Sequence, residues 1–292
     1  MTQEYPKSRR TYKDAVFRDL YGSEDRKDYT LELYNALNGS NHHNPEDITL
    51  NMLGDALFIG VRNDVSFVIG NELVLWEHQS TKNPNMALRG LEYFTALYSK
   101  EIKRLGSARY STKRIRISTP RYVVFYMGTK DIQDVETMRL SDSYEGEGDL
   151  EVTVRVLNIN PGHNEELKSK SKTLRGYCRL IELVRANREE GAEVDEAVSN
   201  AVKTCIKEGD LRKYLLERRE AVVGMFIGHL TEEEAMAEMR EANLREGREE
   251  GWEEATVQHV RALMSNLGVE AAAAMDLLGI PEDERADLVS QL

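Results

Sequence analysis

Hydrophobic and polar positions fall into three textures along the chain. Between 11 and 39 the apolar residues recur at helical spacing, and "TYKDAVFRDLY" sets Ala15, Val16, Phe17, Leu20 and Tyr21 on roughly one face. A second helix is predicted from Asp28 to Asn38, with Asp28 as N-cap and Gly39 as its stop. The polar, turn-rich "GSNHHNPED" then reads as a loop. From 48 to 80 the residues become β-branched and aromatic, and "ITLNML", "RNDVSFVI" and "LVLWEHQS" predict strands. Gly70-Asn71 marks a hairpin turn between the last two. An amphipathic helix is predicted over 83–105, beginning just after Pro84 and ending at Gly106. "RYVVFYMG" at 121–128 is nearly continuous in apolar residues, as a sheet interior is. A further strand is predicted at 150–160, "LEVTVRVLNIN", after the polar loop "SDSYEGEGD".

Beyond Pro161 no strand pattern is found. Residues 164–230 read as several helices, and 231–258 as a long charged helix opened by a Thr231–Glu234 capping box. Gly247 and Gly251 lie four apart in it, without the apolar surroundings that a helix-pairing motif needs. The last 25 residues suggest a small helical hairpin broken at Gly279-Ile280-Pro281. The order predicts an α/β core over 1–160, a helical extension over 161–230 and an acidic helical tail over 231–292.

Composition narrows the function classes. Apolar residues make up 40% and charged residues 31% of the 292, the mix of a globular protein. The opening "MTQEYPKSRRTYKDAVF" lacks the apolar centre of a signal peptide, and "AVVGMFIG" at 221–228 is too short to span a bilayer. A cytoplasmic protein without a membrane partner is expected. Cys178 and Cys205 have no CxxC partner and read as core thiols. The adjacent His42 and His43 read as loop surface, and His163 and His229 as isolated histidines. Neither GxxxxGK[ST] nor GxSxG occurs. The net charge of −12 argues at first against a nucleic-acid partner, but it is unevenly placed. Residues 231–292 hold 16 Asp and Glu against 5 Arg, a balance of −11, which leaves −1 for residues 1–230. Within them, 100–121 carries Lys100, Lys103, Arg104, Arg109, Lys113, Arg114, Arg116 and Arg121 against Glu101 alone, a local +7. Such a run is either a solvated helix end and loop or a phosphate-contacting surface.

The predicted hairpin carries acids where a buried one should not. Asp64 lies six residues before Gly70-Asn71 and Glu77 six after, so a two-residue turn would oppose them on one face. Gln79 projects to the same face and His78 away from it. Two carboxylates so close repel by up to roughly a kcal/mol. A bound Mg²⁺ removes the repulsion, since it takes one or two carboxylates with water and phosphate, and the His78 backbone carbonyl offers another oxygen. Alternatively the acids end at the solvated rim, or pair with an arginine such as Arg89. Spacing leaves both arrangements open.

Asp64 followed 13 positions later by "EHQ" on the next strand resembles the PD-(D/E)XK nuclease superfamily. More narrowly, "YKDAVFRDLY", "NDVSFVI", "LWEHQSTKNPNMALRGLEYF" and "EGREEGWEEA" resemble the Rpn family of recombination-promoting nucleases, also described as putative transposases. The resemblance implies a restriction-endonuclease-like mixed sheet core flanked by helices, with a helical C-terminal region, and a metal-dependent DNA endonuclease. By that resemblance Asp64, Glu77 and Gln79 would be catalytic. Mg²⁺, or Mn²⁺, would be held by Asp64, Glu77 and the His78 carbonyl. Arg89 would contact the scissile phosphate or steady Glu77, and Asp14 and Arg18 match charged positions of the opening helix. Lys100, Lys103 and Arg104 are the further candidates for DNA contact. Double-strand cutting would call for a homodimer.

Gln79 stands where the superfamily usually has lysine. An amide can orient water and donate a hydrogen bond but carries no charge, so slower or conditional chemistry is expected. That absent lysine and the acidic tail also motivate a second reading, a non-catalytic DNA- or protein-binding module that keeps the fold. The tail could in either case shield the basic run.

Overall fold

The computed structural model describes residues 12–51, 65–228, 256–264, 268 and 270–280. Two helices open it, α1 (Tyr12–Tyr21) and α2 (Lys27–Asn38). A 3₁₀ turn at Glu24–Arg26 precedes α2, so its cap position is Arg26 and Asp28 lies inside the first turn rather than at the cap. Gly39 ends α2 in the left-handed conformation, φ +62°, as expected of a C-terminal glycine. The strands follow as β1 (Ile48–Leu50), β2 (Val65–Ile69) and β3 (Glu72–Gln79). After helix α3 (Met86–Leu105) come β4 (Thr119–Tyr126), β5 (Val135–Arg139) and β6 (Thr153–Asn158). The helices α4 (Glu165–Lys170), α5 (Lys172–Glu189), α6 (Val194–Glu208) and α7 (212–228) complete the larger unit.

The six strands form one mixed sheet in the order β1-β2-β3-β4-β6-β5. β2 and β3 pair antiparallel through a two-residue turn, Ile69 facing Glu72 and Val65 facing Trp76. Gly70 takes φ +57° at the first turn position, where only glycine is unstrained. β3, β4 and β6 run parallel, with α3 as the crossover from β3 to β4. The strand β5 was not expected from sequence. It is an antiparallel edge whose "VETMR" alternates exposed and half-buried positions, too short and polar to stand out from the neighbouring loop.

Each sheet face has its own core, and alternation along β3 assigns side chains to them. Val74 and Trp76 pack with Phe17, Tyr21, Phe125, Tyr177 and Phe226 from α1, β4, α5 and α7. Leu73 and Leu75 pack with Met86, Tyr93, Phe94 and Leu97 of α3 and with Tyr122 and Val124 of β4. Full burial of such side chains is worth about 1.5–3 kcal/mol each, which is why β3 can be sheet interior along nearly its whole length. The helices of 161–228 thus share a core with the sheet, and the first compact unit runs from Met1 to Thr231. The second unit is Glu232–Leu292, in which helices at 256–264 and 271–277 bury Val257, Val260, Ala274 and Met275. The expected charged helix at 231–258 falls mostly outside the described residues, as do the Thr231–Glu234 box, Gly247, Gly251 and the second arm of the terminal hairpin. Cys178 and Cys205 are buried on α5 and α6, and burial pushes both thiols up to about 12, which keeps them protonated and unreactive. No described helix is long and apolar enough to cross a membrane.

Candidate functional site around Glu77

The last turn of pleat in β3 sends Glu77 and Gln79 to the α3 face and His78 to the α1 face, as alternation requires. Glu77 is 4% exposed, and its carboxylate sits among three donors. Arg89 Nη2, from the first turn of α3, lies 2.7 Å from Oε1. Gln79 Nε2 donates to the same oxygen at 2.6 Å, and the Tyr122 hydroxyl donates to Oε2 at 2.7 Å. Burial raises the Glu77 pKa, and Arg89, Tyr122 and Gln79 pull against it. Burial disfavours the Arg89 charge, yet the Glu77 carboxylate together with Tyr93 and Tyr122 more than offsets this and raises its pKa. Arg89 is steadied in turn by the Tyr93 hydroxyl, which accepts from its Nε at 2.9 Å.

The approach of α3 makes this arrangement possible. Gly90 lies against the Tyr122 ring so closely that a Cβ there would come within 2.8 Å of it. Sequence inspection singled out neither Tyr122 nor Gly90. Both sit in segments whose apolar pattern already explained them, and only the β3–β4 register, with Leu75 beside Tyr122, brings that hydroxyl to Glu77.

On the opposite face, His78 is fully buried as a side chain, and its Nδ1 lies 2.7 Å from Asp14 Oδ1. Burial lowers the His78 pKa, only partly countered by Asp14, so the ring is neutral. Its neighbours are the rings of Phe17 and Tyr177. Asp14 therefore anchors the C-terminal end of β3 to α1. Arg18 is exposed on the same helix.

Several expected site residues are not brought to Glu77. Lys100, Lys103 and Arg104 lie toward the C-terminal end of α3, which runs back along β3 toward its N-terminal end. There Tyr98 and Glu101 reach Ser118, and Thr119 bonds Asn71 beside the hairpin turn. From Glu77 to Glu72 is five residues, roughly 16 Å at strand rise, so these cations serve the opposite end of the sheet. The crossover geometry is the reason: a helix joining parallel strands must return the chain to the start of the next one. Lys82, the lysine nearest after Gln79, is held by Glu136 at 2.6 Å and does not reach Glu77.

Asp64 lies outside the described residues. Among those described, no group of three His, Cys, Asp or Glu side chains is arranged to hold a metal. Glu77 faces a positive group at its Oε1, the Arg89 guanidinium, whose side chain is 28% exposed near the start of α3. Gln79 O accepts from Met127 N on the β4 side, so the preceding carbonyl of His78 is directed to the β2 side. Glu77 and that carbonyl are hard oxygens of the kind Mg²⁺ takes, and they fit half of a site.

No family model matches this chain, and no curated protein or solved structure matches it.

Proposed function

We propose that the chain is a metal-dependent DNA endonuclease of the restriction-endonuclease-like kind, as its resemblance to the Rpn nucleases implies. The observation that carries the reading is the buried Glu77 carboxylate at the C-terminal end of β3, sharing one face with Gln79 and Arg89. Burying a carboxylate is costly unless it is paired, and here Arg89, Tyr122 and Gln79 pair it at the strand end. The reading requires the β2–β3 register, described to Val65 and Trp76, to continue by one pair, so that Asp64 faces Glu77.

Asp64, Glu77 and the His78 carbonyl would then hold Mg²⁺ or Mn²⁺, which supplies Lewis acidity and an acidified water when bound. Arg89, freed from Glu77, is then placed to meet a phosphate oxygen with a bidentate donor pair. Gln79 donates to Glu77 through its amide nitrogen, which leaves its carbonyl oxygen to orient a water. Without a lysine the site lacks one fixed positive charge, so turnover is slow. DNA is the substrate, double-strand cutting would call for a homodimer, and the protein acts in the cytoplasm.

Plasmid nicking in Mg²⁺, Mn²⁺ or EDTA tests this. Metal-dependent nicking abolished by both Asp64→Ala and Glu77→Ala is expected, and nicking that survives both substitutions refutes the assignment. The Arg89–Glu77 pair favours a second reading, a non-catalytic module in which Arg89 permanently neutralises Glu77. In that case Mg²⁺ leaves the melting temperature unchanged, whereas a working site raises it by mass action.

A further inference from the structure

The sheet face opposite Glu77 is covered only in part. Near the C-terminal ends of β4 and β6, Phe125 and Leu157 are buried in the core beneath the helices. Toward the other end the cover stops: Thr119, Arg121, Thr137, Arg139 and Thr153 are exposed, and Arg155 is half-buried. Register gathers the arginines. Arg155 sits between Val123 of β4 and Thr137 of β5, and Arg139 lies beside Thr153. Arg121, two residues before Val123, flanks Thr153 on its other side. At strand spacing the three guanidinium stems emerge from a patch about 10 Å across.

Charge balance on this patch is incomplete among the described residues. Arg121 is paired with Glu72 at 2.7 Å, and Glu72 also accepts from Tyr34. Glu151, the acid next along the chain, is held by Ser141. Arg155 Nε is buried with no hydrogen-bond partner among the described residues. Burial lowers its pKa, and the other charge acting on it, Arg121, lowers it further. A desolvated cation beside a second cation is a destabilising arrangement unless an anion completes it. The chain entering β4 adds to the same end: Lys113, Arg114 and Arg116 are exposed, with Tyr110 77% and Ile117 48% exposed among them. From 102 to 121 the sequence contains no Asp or Glu.

We infer that the uncovered face of β4, β6 and β5, with the basic segment 110–117 beside it, is a docking surface for the phosphate backbone of a nucleic acid. Arginine forks and threonine hydroxyls are phosphate ligands, and exposed aromatic and apolar side chains between cations suit stacked bases rather than an acidic peptide. This surface lies on the opposite face of the sheet from Glu77, its arginines level with Val74 to Trp76 of β3, so it holds nucleic acid on the other side of the sheet and does not depend on chemistry at Glu77.

Fluorescence anisotropy of the full chain with a labelled 30-base-pair duplex, and with one of its strands, tests this in EDTA over a salt series. Arg139→Gln with Arg155→Met should weaken binding at least tenfold at 0.1 M salt. The slope of log affinity against log salt should fall by about 2, one for each lost phosphate contact. Because Arg155 is an unpaired cation, the same variant should melt at an unchanged or higher temperature. Lys113→Ser, Arg114→Ser and Arg116→Ser together should lower the slope by about 3. Unchanged affinity and slope in both variants, or no binding by the unaltered protein, overturns the inference. A melting temperature several degrees lower in the arginine variant makes Arg155 structural and overturns its part. Polyglutamate competing as well as DNA at equal charge overturns the choice of nucleic acid. Metal-dependent nicking can fail while these shifts are seen, and the reverse, so the two readings fail separately.

Discussion

Replacing Arg89 with methionine removes the cation paired with Glu77 and keeps much of the side-chain volume. The pair is close, 2.7 Å, and Glu77 is nearly enclosed, its side chain 5% exposed against 28% for Arg89. Two charges about 4 Å apart at an effective dielectric near 20 attract by about 4 kcal/mol. Breaking a fully buried pair from one side costs about 3–5 kcal/mol. Arg89 is partly solvated, and Glu77 keeps its bonds from Tyr122 and Gln79, so about 2–3 kcal/mol is expected at pH 8. The loss should shrink on acidification. The Glu77 pKa is already raised by burial, and losing Arg89 raises it further. A carboxyl with a raised folded pKa contributes stability below its unfolded value and loses it as pH rises through the folded value. On acidification the variant therefore escapes part of the penalty by protonating Glu77, and the loss at pH 5.5 should be smaller than at pH 8. Urea unfolding at both pH values measures this, followed by Trp76 fluorescence in a Trp252→Phe background so that the reporter is the neighbour of Glu77. Equal losses at the two pH values, or a loss under about 0.5 kcal/mol at pH 8, would refute the buried-pair reasoning.

Gly90→Ala gains helix propensity but drives a methyl into the Tyr122 ring, so a net loss of about 1–3 kcal/mol is expected, read by thermal melting. NMR titration should find the His78 ring protonating below the ordinary histidine pKa of 6.5, since burial lowers it; protonation at or above that value would contradict the enclosed geometry. Asp14→Ala, which strips the Nδ1 partner from that ring, should cost about 1–3 kcal/mol in urea unfolding. Gln79→Lys should raise the metal-dependent nicking rate if position 79 supplies the missing charge, and a rate no higher than the parent's counts against that role.

Much of the architecture was legible in the chain because it rests on local rules. Gly70 could be read as a turn since only glycine takes φ +57° without strain, and alternation along "LVLWEHQ" already set Glu77 and Gln79 against His78. The stripe of α3 was readable for the same reason: Met86, Ala87, Gly90, Tyr93, Phe94 and Leu97 recur at helical spacing. Arg89, named from sequence as an arginine that could pair with the acids, is the partner of Glu77 in the structure.

Contacts that depend on which strands lie side by side were not legible. The Tyr122 bond to Glu77 needs the β3–β4 register, and the Asp14–His78 bond joins residues 64 apart across the α1 face. The arginine patch needs β5 to be a strand, which "VETMR" hardly announces, and needs it on the far side of β6. The basic run was plain in sequence, yet its distance from Glu77 follows from the crossover direction of α3. Periodicity and turn chemistry act over a few residues, and so composition and pattern determine which segments are helix or strand and which way each side chain points. Long-range pairing is chosen by packing of whole faces against one another, and that alone decided which charges meet.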